Sequence, residues 1–331
     1  MKILIAGLGS IGRRHLRNLN ALGETDILLY RTHHATLSDD ELAGFPLETD
    51  IKRALAHKPD AVIVANPTAL HLDVAIPAAE VGCHLLLEKP ISNSMDRVDA
   101  LAAAAQKSGS RILVGFQFRF HPALRKAHEL LQAGSIGRVL SVRAHWGEYL
   151  PNWHPWEDYK QGYAARPDLG GGAILTLSHP IDYLRWLCGD VESLWAFTGT
   201  SGLGLPVEDA AEIGVKFRTQ AIGSIHLDYN QRPPSHHLEI VGSEGTLRWD
   251  NGDGILHCYR VETNTLETFA PPDGFERNVM FLEEMRHFLS VAREESEPVC
   301  TLEDGKRALQ IALAAMESGQ SSQPISFGLR C

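Results

Sequence analysis

Four groups of residues in this chain have the types and spacing to do chemistry. Gly7-Leu8-Gly9-Ser10-Ile11-Gly12 has the G-x-G-x-x-G spacing of a pyrophosphate seat. Gly7 permits the tight turn, Gly9 lets backbone approach the phosphates, and Gly12 lets a helix pack on a strand. Glu88-Lys89-Pro90 follows Leu85-Leu86-Leu87, and Pro90 forbids the strand from continuing. A lysine held half-buried at a strand end can take part in proton transfer. Arg31 lies in Tyr30-Arg31-Thr32-His33, with no carboxylate until Asp39. A carboxylate at that place accepts from the ribose 2′-hydroxyl of NAD, whereas an arginine accommodates the 2′-phosphate of NADP. Arg31, helped by Thr32 and His33, therefore points to NADP, with NAD as runner-up. Lastly, His179 and Asp182 are three apart in a helical pattern and share a face.

The elements that must position these groups alternate. Lys2 to Ala6 is a short buried strand that runs directly into the glycines, and Ile11, Leu16, Leu19 and Leu22 mark a helix closed by Gly23. Strand, glycine motif and helix in that order give a dinucleotide fingerprint its context. Further strands are predicted over Ile27–Tyr30, Ala61–Ala65, Leu85–Leu87 and Ile112–Phe116. Helices are predicted over His71–Val81 and Val98–Lys107, the latter capped by Ser92 or Ser94. Strands alternating with helices imply a doubly wound parallel sheet over residues 1–118. Ligands bind beyond the carboxyl ends of such strands. Asn66, Pro67, Thr68, Glu88 and Lys89 therefore share one sheet edge with the glycines, and Gln117 lies just past the last strand.

After Phe120 the texture changes. His121 to Ala133 is helical, and Val139 to Tyr149 alternates as a strand. An aromatic stretch follows, with Trp146, Tyr149, Trp153, His154, Trp156, Tyr159 and Tyr163. Aromatic faces with polar tips suit a sugar, stacking on its C–H faces and bonding its hydroxyls. Asp168 to Gly172 leads into an apolar helix predicted over Ala173–Leu187. From Leu194 to about Phe269 short strands follow one another, which implies a mostly antiparallel open sheet. Helices cover one face of that sheet, and a second subunit is expected on the other. Two helices close the chain, about Arg277–Arg293 and from the capping box at Thr301–Asp304 to Gly319, packing back on the body. The second domain, residues 119–331, is thus α+β.

Composition narrows the function classes. The 331 residues carry a formal charge of −10 with no basic run, so no nucleic-acid partner is expected. Five scattered cysteines without a Cys-x-x-Cys pair fit a reducing compartment and exclude a disulfide framework. No metal site is expected, because His33-His34 and His236-His237 are adjacent pairs whose side chains diverge. No apolar run approaches the roughly 20 residues of a membrane span, and the first residues make no signal peptide. A cytoplasmic protein without a membrane partner is expected.

In order, Gly7 to Gly12, Asn66-Pro67-Thr68 with His71, Glu88-Lys89-Pro90, Arg119-Phe120-His121-Pro122, and Gly170-Gly171-Gly172 leading to His179-Pro180-Ile181-Asp182 span nearly the whole chain. Together they resemble the glucose–fructose oxidoreductase / inositol dehydrogenase (Gfo/Idh/MocA) family. The resemblance implies an NAD(P)-dependent oxidoreductase acting on a sugar, sugar acid, cyclitol or similar polyol, assembled as a homodimer or homotetramer through the second sheet. It implies His179 as general acid/base, Lys89 as its partner or proton relay, Asp182 as a nearby polar group, and His71 among the cofactor contacts. Many members carry an Asp one turn before the histidine; this chain has Leu175 and Thr176 there. Hydride transfer at a carbinol carbon moves one proton on its oxygen, a task suited to histidine. Arg119, Tyr149, Trp153, His154, Arg166 and His179 are the candidate substrate contacts. Two alternatives stand beside this reading. One is a glycosidase with a recycled cofactor, in which Tyr149 or Tyr163 abstracts a proton. The other is a nucleotide-binding sensor or subunit without catalysis.

Overall fold

The computed structural model describes residues 1–32, 37–200 and 202–328. The chain divides into two compact units, Met1–Gln117 with Glu276–Leu309, and Phe118–Phe275 with Gln310–Cys331. The first unit holds strands β1 (Ile3–Ala6), β2 (Ile27–Tyr30), β3 (Leu47–Glu48), β4 (Ala61–Val64), β5 (His84–Glu88) and β6 (Ile112–Gly115). All neighbours run parallel, in the order β3-β2-β1-β4-β5-β6. Helices α1 (Ser10–Ala21), α2 (Ile51–Ala56), α3 (His71–Glu80) and α4 (Val98–Ser108) lie in the crossovers. β1, β4 and β6 are buried along their whole length. Strands covered on both faces need apolar residues at every position, hence their unbroken Ile, Leu and Val runs. The strand order reverses at β1, between β2 and β4. Gly7 follows β1 and Asn66 follows β4, so both stand at the switch point where open parallel sheets bind ligands.

The local structure departs from expectation at two places. β3 and α2 lie in a segment the sequence left unassigned. The N-cap of α4 is Arg97, at φ 65°, with no side-chain acceptor. Ser92 and Ser94 do not cap it: their hydroxyls accept from the amides of Ser94 and Asp96 in local turns that end before the helix begins.

The second unit begins with α5 (Pro122–Gln132), β7 (Val139–Tyr149), α6 (Ala173–Thr176) and α7 (His179–Cys188). β8 (Val191–Gly199), β9 (Ala210–Phe217), β10 (Ile222–Asp228), β11 (Asn230–Gly242), β12 (Gly245–Asp250), β13 (Leu256–Arg260) and β14 (Thr265–Phe269) follow. α8 (Arg277–Ala292) belongs to the first unit, α9 (Leu302–Ser321) contributes to both, and β15 (Ile325–Ser326) ends the second. The sheet order is β14-β13-β12-β11-β7-β10-β9-β8-β15. Among the described residues every neighbouring pair is antiparallel except β10 and β7. One face carries Val142, Ala144, Trp146, Leu227, Leu238 and Trp249 into the core. The opposite face leaves Trp195, Phe197 and Ile222 exposed.

The expected helix over Ala173–Leu187 is broken at Leu177 and Ser178. Pro180 has no N–H to return to Thr176, so an unbroken helix would lose that bond. It fits instead in the first turn of α7, where no N–H is needed. α9 opens with the capping box expected at Thr301 and Asp304, the Asp304 amide bonding Thr301 Oγ1 at 3.2 Å and the Thr301 amide bonding Asp304 Oδ2 at 2.9 Å. It does not stop at Gly319 but runs to Ser321. A Cβ at Gly319 would lie 2.6 Å from the Thr198 side chain, so this glycine serves close packing and not termination.

His121 caps α5, its Nδ1 accepting from the Ala123 amide at 3.2 Å, which needs a neutral ring. Burial pushes its pKa from 6.5 down to about 4. As pH falls below 6.5 the unfolded chain takes the proton first, so stability drains away down to about pH 4, by about 3 kcal/mol in all. His121→Asn keeps a capping acceptor and is expected to flatten the fall in urea midpoint over that window. An unchanged slope would contradict the assignment.

Candidate active site

The glycine turn is built from steric necessity. Gly7 sits at φ +95°, and a Cβ there would lie 2.3 Å from the Asn66 amide. A Cβ at Gly12 would lie 1.9 Å from the Gly7 carbonyl. Gly9 differs: a Cβ there would meet nothing within 4 Å. Gly9 is the N-cap of α1 and offers no side-chain acceptor, and no acidic residue occupies the first turn. The first-turn amides of Ser10, Ile11 and Gly12 thus face an open, positively polarised helix end, which suits a phosphate. Asn66 donates from Nδ2 to the Leu70 carbonyl at 2.8 Å, while its Oδ1 is buried without a partner. An open cradle beside an unsatisfied amide oxygen fits a dinucleotide.

The rest of the first unit's candidates sort into two kinds. Thr68 and Gln117 are buried, Pro67 and Lys89 half-buried, and Thr32 exposed. His33 lies outside the described residues. Arg31 is not a free cation: its Nη1 and Nη2 reach Asp39 Oδ1 and Oδ2, both at 2.6 Å. Asp39 thus supplies a carboxylate to Arg31, and it also lies 3.5 Å from Arg13. His71 is buried, with Nε2 2.9 Å from the Asn66 carbonyl and Nδ1 3.0 Å from the Pro90 carbonyl. It pins the loops after β4 and β5 together, and burial pulls its pKa down. Glu88 is also buried, its Oε1 2.7 Å from His15 Nε2 and its Oε2 accepting the Lys89 amide at 3.3 Å. His71 and Glu88, expected as cofactor contacts, thus spend their polar atoms on the protein. Glu284 of α8 lies fully buried with both carboxyl oxygens unpartnered. Burial, then the charge of Glu88, pushes its pKa well up. These carboxyls and the His15 imidazole form a buried group behind Lys89's backbone. Neither His15 nor Glu284 was singled out from the sequence.

In the second unit His179 opens α7 and is 1% exposed. Its ring lies 5.0 Å from Phe118 and 5.4 Å from Trp146. His236 stacks on Trp146 at 4.5 Å, with Nε2 3.2 Å from the Tyr183 hydroxyl, and meets Trp249 edge-on at 4.9 Å. Phe118, Tyr183, His236 and Trp249 therefore join the neighbourhood of His179. The sequence signal for His236 was β-strand alternation, which sends it inward and His237 outward. Asp182 and Arg119 form a buried bidentate pair, at 2.9 Å from Nε to Oδ2 and 2.7 Å from Nη2 to Oδ1. Arg119, expected at the substrate, and Asp182, expected in catalysis, are thus bound to each other. Arg166 is exposed and paired with Asp168. Tyr149 lies under the Arg232 guanidinium at 4.2 Å. Trp153 meets Tyr229 edge-on at 5.6 Å, and its Nε1 is buried without a partner, as are His154 Nδ1 and Ser178 Oγ. Buried groups of this kind call for a partner, which a hydroxylated ligand can supply.

Comparison with known proteins matches this architecture in both halves. Residues 1–116 match the model of the oxidoreductase family with an NAD-binding Rossmann fold, and residues 124–248 match the GFO/IDH/MocA C-terminal domain. The chain is 27% identical to myo-inositol 2-dehydrogenase of Thermotoga maritima, across 99% of this chain and 98% of that one. It is 28% identical to 1,5-anhydro-D-fructose reductase of Ensifer adhaerens, across 80% and 78%. Levoglucosan dehydrogenase in complex with NADH and L-sorbose shares the fold, with a TM-score of 0.87 at 21% identity over 98% of each chain. Rossmann turn, second-domain sheet and sequence agree that the chain is a member of the Gfo/Idh/MocA family of NAD-binding oxidoreductases.

Proposed function

We propose that the protein is a dehydrogenase or reductase of sugars, sugar acids or cyclitols. Bound nicotinamide would supply the hydride acceptor or donor for a carbinol or carbonyl carbon. The observation that carries this reading is the open anion seat at Gly9 beside the unsatisfied Asn66 oxygen, in a chain of an NAD-binding family. The named activities of relatives on myo-inositol and 1,5-anhydro-D-fructose support the substrate class.

Gly7, Gly9, Ser10, Ile11 and Gly12 would hold the pyrophosphate, with Asn66, Pro67, Thr68, Lys89 and Gln117 completing the cofactor contacts. His71 and Glu88 act from below, fixing the loops that carry Asn66 and Lys89. Lys89 and His179 handle the proton that leaves or joins the substrate oxygen. Asp182 positions α7 through Arg119. Trp153, His154 and Tyr149 meet the substrate.

Arg31 alone would favour NADP, but Asp39 neutralises it and brings a carboxylate to the strand end that a ribose 2′-hydroxyl favours. NAD is therefore the proposed cofactor. Fluorescence titration with NADH and NADPH tests this. Wild type is expected to bind NADH more tightly, and Asp39→Ala to move preference toward NADPH by about 10-fold or more. Preference for NADPH in wild type, abolished in Arg31→Ala, would restore the NADP reading.

A further inference from the structure

The sheet of the second unit assembles a cluster on the face away from Trp146 and His236. Register places His145 of β7 opposite His226 of β10 on one side and His237 of β11 on the other. The three imidazoles stack, His145 on His226 at 4.5 Å and 8°, and on His237 at 4.8 Å and 6°. His226 is held at both nitrogens. Glu212 Oε1 lies 2.6 Å from Nδ1, and Asp228 Oδ2 lies 2.8 Å from Nε2. Asp228 is itself fixed, its Oδ1 accepting the Asn230 amide at 2.6 Å. Residue 147 must be small to admit it, since a Cβ at Gly147 would lie 2.4 Å from Asp228 Oδ2. The Nε2 of His145 is buried without a hydrogen-bond partner. One ligand-type atom from each of His145, His226 and Asp228 lies within 4.8 Å of the others.

We propose that His145, His226 and Asp228 bind a divalent transition cation of the Zn²⁺ class, tying β7 to β10. Two imidazoles and a carboxylate suit Zn²⁺, Cu²⁺ or Ni²⁺, whereas Mg²⁺ and Ca²⁺ take oxygen ligands. Three protein ligands leave the fourth tetrahedral position to water. Glu212 supplies the outer contact that metal-bound histidines commonly make, a carboxylate on the second ring nitrogen that fixes tautomer and orientation. Glu212 and the Asn230 amide hold His226 and Asp228 before the ion arrives, and the His145 ring must turn from its stack to complete the set, an ordering cost confined to one side chain.

The test uses the full chain, free of any tag, stripped with EDTA and titrated calorimetrically with Zn²⁺. One Zn²⁺ per chain at micromolar affinity or better is expected, together with a raised thermal midpoint. His145→Ala and Asp228→Asn should each abolish both effects, and Glu212→Gln should weaken affinity about 10- to 100-fold. Circular dichroism and the midpoint in EDTA establish that each variant is folded. Co²⁺ in place of Zn²⁺ should give the visible bands of a four-coordinate ion in wild type alone. Absence of binding at micromolar Zn²⁺ would overturn the proposal and leave an imidazolium clasped by two carboxylates. Undiminished binding by the His145→Ala, Asp228→Asn double variant would overturn it equally.

Discussion

Replacing Lys89 by methionine is expected to lower kcat by about 10²–10⁴-fold while NADH binding stays within a small factor of wild type. Methionine keeps an unbranched stem and removes the ionisable end. The backbone at this position has a hold of its own. Its amide bonds Glu88 Oε2, and Glu88 is in turn held by His15. The phosphate seat at Gly9 belongs to a separate turn. A selective loss of turnover with intact binding therefore marks a proton-handling residue. Turnover that survives the change would remove Lys89 from the chemistry, and a parallel loss of NADH binding would leave it a cofactor contact alone.

Asp182→Ala is expected to destabilise the second unit by about 3–5 kcal/mol, because it removes the carboxylate that holds the buried Arg119 guanidinium at two nitrogens. Both side chains are almost fully buried, so solvent does little to screen the loss. Urea unfolding followed by near-ultraviolet circular dichroism reads the change. A double variant, Arg119→Met with Asp182→Leu, should recover most of the loss, since removing both charges lifts the desolvation cost. A loss below about 1 kcal/mol in Asp182→Ala would mean that the pair behaves as a surface ion pair and does not anchor α7.

The parts legible in the sequence are those fixed by neighbouring residues. β1, the glycine turn and α1 form one continuous stretch whose steric demands are local, and the buried parallel strands announce themselves as apolar runs. The break before His179 was also in plain view at Pro180, but the apolar pattern on either side masked it. What stayed hidden depends on register and on distant partners. His15 meets Glu88 from 73 positions away, and Arg119 meets Asp182 from 63. Asp39 pairs with Arg31 from 8 positions away, a contact that no local pattern announces. His236 and His237 are adjacent in sequence, and strand alternation gives them different work. One stacks on Trp146, and the other joins the imidazole row. The parallel placement of β10 beside β7, which creates that row, has no signature within either strand.

Hydride transfer itself is tested most directly by following a deuterium label. The enzyme is incubated with NAD and a panel of sugars and cyclitols deuterated at carbon, myo-inositol first, and the reduced nicotinamide is examined by mass spectrometry. Deuterium on the reduced cofactor, accumulating with oxidised substrate and lost in Lys89→Met, is the predicted result. Label that leaves the substrate but never accumulates on free cofactor, while a glycosidic bond is cut, would contradict net oxidation and mark a recycled cofactor. Tight NADH binding with no label transfer from any polyol would contradict the enzymatic reading altogether.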